Sequence, residues 1–491
     1  MFSLPPLRIL YVTPECAPFV KTGGLGDVAA ALPVALRQIG LDARVLLPGY
    51  PAVLAALAGA RNVGSIDGIA RIPAARLLEA ELPTGVPAWV VDCPFLYDRD
   101  GGPYQDAGGA DWEDNPLRFG LLSRIAALLA SRQSPVAWRA QLVHANDWQT
   151  GLAPAYAALA YDGSTPSIIT VHNLAFQGVF APHWVAGLGL PATSFAVDGV
   201  EYYGSFSFLK AGLFYASAIT TVSPTYASEI QQKAMGMGLD GFLAARRDSL
   251  TGILNGIDTT VWDPADDPLI PQRYNAATLG RKAFNKRALQ MRLGLEPLPN
   301  VALLGAVTRL TAQKGLDLLL DIADAVLALP AQIVIVATGD KVLEQRLLAL
   351  SAARPGRLAG FIGFDETLAH LVEAGADAFI MPSRFEPCGL NQMYSQRYGT
   401  PPIVHATGGL VDSVVDCTPQ SLAEGTATGF KFLAPTAEAL MGAIERCAAA
   451  HGDPAVWQAL QRNGMARDFS WNSAAREYGA IYARLVPGQR H

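Results

Sequence analysis

The 491-residue sequence lacks the cysteine pattern of a stapled or zinc-binding protein. It holds five cysteines, which are widely scattered and show no CxxC spacing: Cys16, Cys93, Cys388, Cys417 and Cys447. An odd and dispersed set of this kind argues against a disulfide framework and against a zinc site. We therefore expect reduced thiols.

Positive charge and long apolar runs are also scarce. The chain has 37 Lys and Arg against 43 Asp and Glu, for a net charge of -6, and its basic residues do not cluster. Nucleic-acid binding requires a basic surface, so no such partner is expected. No apolar stretch approaches the roughly 20 residues that span a bilayer, and the N-terminus lacks the pattern of a secretory signal. We expect a cytoplasmic protein that does not bind a membrane.

What the sequence does have is apolar content and length. Hydrophobic residues make up 51% of the chain and charged residues only 16%. A composition of this kind indicates a folded protein with a large core, because disordered chains are polar and highly charged. A chain of this length is expected to form two or more domains.

Short apolar runs alternate with helix-like segments along most of the chain. Runs such as "RILYVTPE", "ARVLLPG", "QLVHAND" and "SIITVHN" end in Pro, Gly, Asn or Asp, and Ala- and Leu-rich segments separate several of them. This rhythm predicts βαβ units and parallel sheets. It lapses into Pro, Asp and Asn at 255–300 and then restarts with "VALLGAVTRL" and "QIVIVATG". We expect two α/β domains at 1–254 and 301–464, a linker region at 255–300, and a closing helix at 465–491, with the first domain as one candidate packing partner.

The octet "KTGGLGDV" follows the first predicted strand and precedes a helix. Gly24, Gly26 and Ala29 fit the dinucleotide fingerprint G-x-G-x-x-A, but the next strand ends in Pro48 and Gly49 instead of the acid that binds ribose. No Gly-Lys-Ser/Thr of a Walker loop is present. Two interpretations stay open from the residues alone: a phosphate cradle with Lys21 as its cation, or a glycine-rich packing turn.

Further candidates lie at the ends of other predicted strands. Arg309 and Lys314 follow a strand in "VTRLTAQKGLD", where they suit a pyrophosphate or are simply solvated charges. Glu386 in "SRFEPCGLNQ" suits sugar hydroxyls or the start of a helix, and Cys388 beside it suits a small buried position. His172 in "TVHNLAFQG" is open to a functional and to a structural interpretation.

Taken together, eight motifs in order make the chain resemble the bacterial glycogen synthases and plant starch synthases. The resemblance covers nearly the whole sequence and is specific because order and spacing agree. The motifs are "KTGGLGDV", "HANDWQTG", "TVHNLAFQG", "KAGLFYASAITTVSPTYASEI", "GILNGIDTTVWDP", "VTRLTAQKGLD", "SRFEPCGLNQMYSQRYGTPPIV" and "TGGLVDSV".

The resemblance implies an α/β fold of the GT-B type, with two Rossmann-like parallel-sheet domains facing an interdomain cleft. It implies a retaining hexosyltransferase that moves glucose from ADP-glucose to the non-reducing end of an α-1,4-glucan, glycogen or a malto-oligosaccharide, without cofactor or metal. Two alternatives are a UDP-glucose-dependent glucan synthase and a catalytically silent glucan-binding homologue. Joint retention of the five residues that the resemblance places at the reaction centre argues against the silent homologue.

The resemblance also implies roles for individual residues. Lys21, Arg309 and Lys314 are expected to hold the diphosphate, His172 to lie beside the transferred glucose, and Glu386 to bind its hydroxyls. His172, Glu386, Arg309 and Lys314 are the expected catalytic set. Other residues expected to bind substrate, partly through backbone amides, are Gly23, Gly24, Asp27, Asn255, Cys388, Gly389, Leu390, Thr407, Gly408 and Gly409.

Four positions depart from patterns common among related enzymes. Tyr394 stands where many retaining enzymes of this fold carry a second glutamate, a substitution that glycogen synthases share. Asn146 and Gln149 stand where histidines are common, and His405 stands where an arginine often precedes the TGG turn. These differences bear on local hydrogen bonds and leave the expected reaction unchanged.

Overall fold

A computed structural model describes residues 5–487 and divides the chain into two units, each with its own sheet. Unit 1 runs to Gly256 and includes the segment from Trp471 onward, and unit 2 is Ile257–Ser470. The two units are described separately below.

Unit 1 contains a nine-stranded sheet and a small three-stranded sheet in the part of the chain that the structure describes. Its strands are β1 (Arg8–Val12), β2 (Asp42–Pro48), β3 (Arg61–Ile66), β4 (Ala75–Glu81), β5 (Pro87–Asp92), β6 (Leu142–Asn146), β7 (Ser167–Val171), β8 (Val179–Phe180), β9 (Glu201–Tyr202), β10 (Ser205–Ser207), β11 (Ala218–Thr221) and β12 (Leu250–Gly252). The large sheet has the order β12-β11-β7-β6-β1-β2-β5-β4-β3, and β8, β10 and β9 form the small one.

The large sheet is parallel from β12 to β5, as the sequence predicts. The two strands beyond β5 differ, because β4 pairs antiparallel with both β5 and β3. Short connections join these strands, and only antiparallel neighbours can be joined without a crossover helix. The parallel part of the sheet therefore ends at β5, and β4 and β3 extend it as an antiparallel edge.

Helices cover the large sheet, and strands β6 and β7 are buried along their whole length. Burial on both faces explains why these strands read as unbroken apolar runs. The helices in the part of unit 1 that ends at Gly256 are α1 (Gly24–Gln38), α2 (Pro51–Ala56), α3 (Pro94–Tyr97), α4 (Asn115–Ala130), α5 (Leu152–Leu159), α6 (Trp184–Gly187), α7 (Phe208–Tyr215), α8 (Pro224–Glu229) and α9 (Asp240–Ala245).

Unit 2 holds a six-stranded, all-parallel sheet within the described residues, in the order β15-β14-β13-β16-β17-β18. Its strands are β13 (Ala302–Leu310), β14 (Ala331–Gly339), β15 (Leu358–Ile362), β16 (Ala378–Met381), β17 (Pro402–His405) and β18 (Phe430–Phe432). Its helices are α10 (Lys282–Arg292), α11 (Leu316–Asp321), α12 (Ala323–Ala328), α13 (Lys341–Ala353), α14 (Glu366–Gly375), α15 (Asn391–Arg397), α16 (Gly408–Ser413), α17 (Pro419–Ala423), α18 (Ala437–His451) and α19 (Pro454–Met465).

The last helix, α20 (Trp471–Leu485), packs against the sheet of unit 1. The Tyr482 hydroxyl lies 2.7 Å from Nδ1 of the buried His144, and the Thr170 hydroxyl lies 2.6 Å from its Nε2. Burial lowers the pKa of His144 to about 3, so the ring is neutral and needs one donor and one acceptor. The two hydroxyls supply them, which ties α20 to β6 and β7.

Across residues 5–487, none of the helices has the length and apolar character needed to cross a membrane.

Replacing Tyr482 with Phe is expected to lower the free energy of unfolding by about 1–3 kcal/mol, because the buried His144 Nδ1 loses its partner. Urea unfolding followed by circular dichroism measures this change. Tyr203→Phe is the matched control, since Tyr203 is 79% exposed and its hydroxyl can turn to water. Equal midpoints for the two variants would contradict this account of the helix contact.

Candidate functional site

The predicted site residues fall into two groups, one in each unit, and each group lies at the carboxyl end of a parallel sheet. In unit 1, β7, β6 and β1 are neighbours. Asn146 ends β6, and the loops that follow the three strands carry His172, Asp147 and the "KTGGLGDV" octet. Parallel strands bring the loops after their carboxyl ends to one edge, which is where α/β sheets bind ligands.

The octet forms the turn into α1, with Gly23 at the N-cap. Lys21 is half-exposed, and its Nζ lies 2.7 Å from the Asp27 carboxylate in the first turn. The buried Glu15 fixes the loop by accepting hydrogen bonds of 2.6 Å from both the backbone N–H and the hydroxyl of Thr22. Tyr104 donates its hydroxyl to the same carboxylate. The cation is thus carried on a loop with a fixed backbone.

Asp147 has an unusual backbone conformation for a residue that is not glycine, with φ at +56°. Its Oδ1 accepts a hydrogen bond of 2.6 Å from the backbone N–H of His172 and a longer one of 3.4 Å from that of Asn173. Burial raises the pKa of the Asp147 carboxyl to about 7. A positive φ in such residues costs free energy and is concentrated at functional sites. The contacts fix the start of the loop after β7.

His172 presents a partly exposed ring at this edge. Its Nε2 lies 2.9 Å from Oδ1 of the buried Asn146. Burial lowers the pKa of His172 to about 3, so the ring is neutral near pH 7. Asn255, a predicted substrate-binding residue beyond β12, is buried, and its Oδ1 has no hydrogen-bond partner within the described chain.

The second group is centred on an ion pair in unit 2. Lys314 follows β13, Glu386 follows the neighbouring strand β16, and Lys314 Nζ lies 2.6 Å from Glu386 Oε2. The side chains are only 17% and 6% exposed. The Ser383 hydroxyl donates to the same oxygen at 3.0 Å. Both contacts use Oε2, and Oε1 has no protein partner among residues 5–487, so it remains able to accept a hydrogen bond.

Arg309 and Lys314 differ in exposure and in ion pairing, although the sequence analysis assigns both to one pyrophosphate site. Arg309 lies near the end of β13 and is exposed, and within the described residues no carboxylate pairs with its guanidinium. Lys314 is instead engaged by Glu386. An incoming anion would therefore meet one uncompensated cation and one shared cation.

The TGG turn packs directly on the Glu386 loop. The N–H of Gly409 donates to the Glu386 carbonyl at 3.1 Å, and the N–H of Thr407 donates to the His405 carbonyl at 2.9 Å. Gly408 has φ at +45°, and a Cβ there would lie 2.0 Å from the Glu386 carbonyl oxygen. The backbone N–H groups of Thr407 and Gly409 thus donate to carbonyl oxygens of the chain. Glycine at 408 lets the TGG turn approach the Glu386 backbone closely.

The segment after Glu386 is held by Gln392. Its Nε2 donates to the carbonyls of Cys388 and Gly389 at 3.1 and 3.0 Å, and to the Ser413 hydroxyl at 3.0 Å. Cys388 is buried, which fits a packing role for its side chain, and Leu390 is the N-cap of α15. Backbone geometry in this segment is therefore set by one buried amide.

Three of the four positions that differ from patterns common among related enzymes have packing or loop-supporting roles in the structure. Tyr394 stacks on Trp262 with ring centroids 3.9 Å apart. His405 Nδ1 lies 2.8 Å from the Ser383 carbonyl oxygen, so the ring supports the same loop as Glu386. Gln149 is buried beside the loop after β6. These side chains serve packing and loop position.

Sequence reasoning missed several supporting residues: Glu15, Tyr104, Asp147, Ser383 and Gln392. Glu15 and Asp147 follow strands β1 and β6 within a few positions, so the general rule that strand ends carry function could have marked them. Nothing in the sequence singles out Tyr104, because its contact with Glu15 joins positions 89 residues apart.

Replacing Gly408 with Ala is expected to lower the free energy of unfolding by about 2 kcal/mol or more, because the new methyl group meets the backbone of Glu386. Gly442→Ala is the control, since Gly442 lies in α18 and a Cβ there meets no atom within 4 Å. That change is expected to add about 0.5–1 kcal/mol. Urea midpoints for both variants test the prediction, and an unchanged midpoint for Gly408→Ala would refute the close contact.

Comparisons with known proteins agree with this arrangement. The family model of the starch synthase catalytic domain matches residues 8–245, and that of glycosyl transferases group 1 matches residues 296–450. The chain is 54% identical over 492 residues to the glycogen synthase of Nitrosospira multiformis, covering 99% of both chains. It is 57% identical over 479 residues to that of Aromatoleum aromaticum, covering 98% of this chain and 97% of the relative.

Solved structures give the same result. The catalytic domain of starch synthase IV from Arabidopsis thaliana, bound to ADP and acarbose, superposes with a TM-score of 0.86 at 30% identity, covering 98% of this chain and 99% of that one. A sucrose-phosphate synthase from Thermosynechococcus elongatus, at 19% identity and a TM-score of 0.59 over 98% and 99% of the two chains, shares the fold. The predicted α/β fold of the GT-B type is confirmed. Identity above 50% across nearly the whole length shows that the chain belongs to the bacterial glycogen synthase family.

Proposed function

We propose that the chain is a glycogen synthase that transfers glucose from ADP-glucose to the non-reducing end of an α-1,4-glucan with retention of configuration. The observation that carries the proposal is the buried Glu386 carboxylate, held by Lys314 through Oε2 while Oε1 has no protein partner among the described residues. A fixed carboxylate oxygen beside cations provides an acceptor for sugar hydroxyls next to a site for diphosphate. Similarity to the starch synthase bound to ADP and acarbose supports this assignment.

In the proposed reaction, Arg309, Lys314 and Lys21 hold the diphosphate. Breaking the bond between glucose C1 and the phosphate oxygen places negative charge on ADP, and preorganised cations stabilise that charge as it develops. Arg309 is exposed, whereas Lys314 is shared with Glu386. Lys314 then couples the diphosphate to the carboxylate that binds the sugar.

The bond changes follow from retention. The C1–O bond to phosphate breaks, and the acceptor 4-hydroxyl forms the new C1–O bond on the same face. Its proton passes to the departing phosphate oxygen. Glycosidase-type retention uses a carboxylate nucleophile, whereas attack on the same face as the leaving diphosphate needs none. We propose that Glu386 binds hydroxyls and forms no covalent intermediate.

His172 suits a position beside the transferred sugar because its ring is neutral. Glycosyl transfer passes through a state with positive charge at the sugar ring. A protonated imidazole would repel that charge, whereas burial keeps the pKa of His172 near 3. A neutral ring still offers hydrogen bonds to hydroxyls.

We propose that the remaining predicted residues shape the two groups of site residues, one in each unit. Gly23, Gly24 and Asp27 form the turn that carries Lys21, and Asn255 offers a buried amide oxygen. Cys388, Gly389, Leu390, Thr407, Gly408 and Gly409 surround Glu386. As its relatives are bacterial glycogen synthases, we propose that the protein acts in the cytoplasm.

An assay with radiolabelled donors tests the function. The purified protein is expected to incorporate glucose from ADP-glucose into glycogen, with a lower kcat/KM for UDP-glucose. A preference for UDP-glucose would establish the alternative donor, and no incorporation from either donor beside an active relative would indicate a silent homologue.

Replacing Glu386 with Gln is expected to lower kcat by about 100-fold or more, because the substitution removes the negative charge that faces the sugar and keeps the side-chain shape. Glu424→Gln, at an exposed position of unit 2, is the matched control and is expected to retain wild-type kcat. Near-normal turnover in Glu386→Gln would remove this residue from the site.

A further inference from the structure

We propose that Asn146 is a positioning residue, which holds the His172 imidazole in the tautomer with hydrogen on Nε2 and so leaves Nδ1 as an acceptor for a sugar hydroxyl. The proposal rests on the proposed function to the extent that it places His172 beside the transferred glucose. It begins from the 2.9 Å distance between His172 Nε2 and Asn146 Oδ1.

The orientation of the Asn146 amide is fixed by its other neighbours. Its Nδ2 lies 2.9 Å from the Val12 carbonyl oxygen and 3.4 Å from that of His144. Carbonyl oxygens only accept, so the amino group of Asn146 has to face them. The reversed amide would place oxygen against oxygen at the end of β1, in a position with no access to solvent. The Tyr11 hydroxyl, 3.0 Å from Oδ1, donates to it on the other side.

The hydrogen on His172 follows from this orientation. Asn146 Oδ1 has no hydrogen to give, so the ring nitrogen that faces it has to be the donor. Burial lowers the pKa of His172 to about 3, so the ring carries a single hydrogen at neutral pH. Nδ1 is then a bare acceptor, and none of residues 5–487 supplies a hydrogen-bond partner for it.

The backbone of His172 is held as firmly as the ring. Its N–H donates to Asp147 Oδ1 at 2.6 Å, and Asp147 is itself buried and has a positive φ. Asn146 therefore holds the ring of His172, and the next residue, Asp147, holds its backbone N–H. The histidine that is common at position 146 in related enzymes can act as donor or acceptor, whereas the amide here, in its fixed orientation, permits one tautomer.

Nuclear magnetic resonance of the full-length protein with ¹⁵N-labelled histidine tests the tautomer directly. The chain has seven histidines, and the His172 signals are assigned by their loss in His172→Gln. Long-range proton–nitrogen spectra are expected to show a protonated Nε2 and an unprotonated Nδ1 near pH 7. A protonated Nδ1, or a doubly protonated ring, in the wild-type protein would overturn the proposal.

Variants separate positioning from general packing. Asn146→Ala is expected to lose the single tautomer and to lower kcat/KM for ADP-glucose by tenfold or more. Tyr11→Phe is the matched control, because it removes the other partner of Asn146 Oδ1 while the contact with His172 remains; it is expected to retain the Nε2–H tautomer. Loss of the tautomer in Tyr11→Phe, or its persistence in Asn146→Ala, would contradict the role of Asn146.

Adding ligand tests the sugar contact. ADP-glucose is expected to move the Nδ1 resonance of His172 in the direction of an accepted hydrogen bond, whereas ADP alone is not. An unmoved resonance in a protein that transfers glucose would overturn this inference and leave the proposed function standing. An unmoved resonance in a protein that transfers none would remove the proposed function and this sugar contact together, and the tautomer measurement would still decide the role of Asn146.

Discussion

The ion pair between Lys314 and Glu386 joins the loops that follow two neighbouring parallel strands, β13 and β16. Burying the carboxylate without its cation would cost several kcal/mol, so the pair constrains both loops at once. Ser383 adds a second donor to Oε2, and the backbone of Glu386 receives the N–H of Gly409. The loops after β13, β16 and β17 therefore form one structure that the chain's own residues hold together.

In unit 1, hydrogen bonds to buried polar side chains hold the loops in place. The buried Glu15 is satisfied by Thr22 and Tyr104, and the buried Asn146 by Tyr11, Val12 and His172. Buried polar groups need partners. With these partners, Glu15 holds the loop that carries Lys21, and Asn146 holds the His172 ring. Preorganisation of this kind lets hydrogen bonds and charges act on a reacting sugar without first being rearranged.

The sequence predicts the fold well because parallel strands buried on both faces leave unbroken apolar runs. The strands β1, β2, β6, β7 and β13 were all expected from such runs. Strands β3 and β4 were not, because "RNVGSI" and "ARLLEAE" are partly exposed and lack that signature. The apolar segment "LDLLLDIADAVLAL" forms two helices, with α11 ending at Asp321 and α12 beginning at Ala323.

For the site, the sequence indicates which side chains end strands but not how they pair. Lys314 and Glu386 are 72 positions apart, and only the order of the strands makes them neighbours. The engaged amides of Thr407 and Gly409 and the fixed amide of Asn146 are likewise products of tertiary packing. Motif resemblance names the residues, whereas the contacts among them have to be read from the structure.

We propose that the residues held in these two units together transfer glucose from ADP-glucose with retention. The most direct measurement uses ADP-glucose labelled with ¹³C at glucose C1, a malto-oligosaccharide acceptor and nuclear magnetic resonance of the product. We expect a labelled α-1,4 linkage at the non-reducing end, with free ADP released in equal amount. A labelled β linkage, or ADP release without labelled glucan, would contradict it.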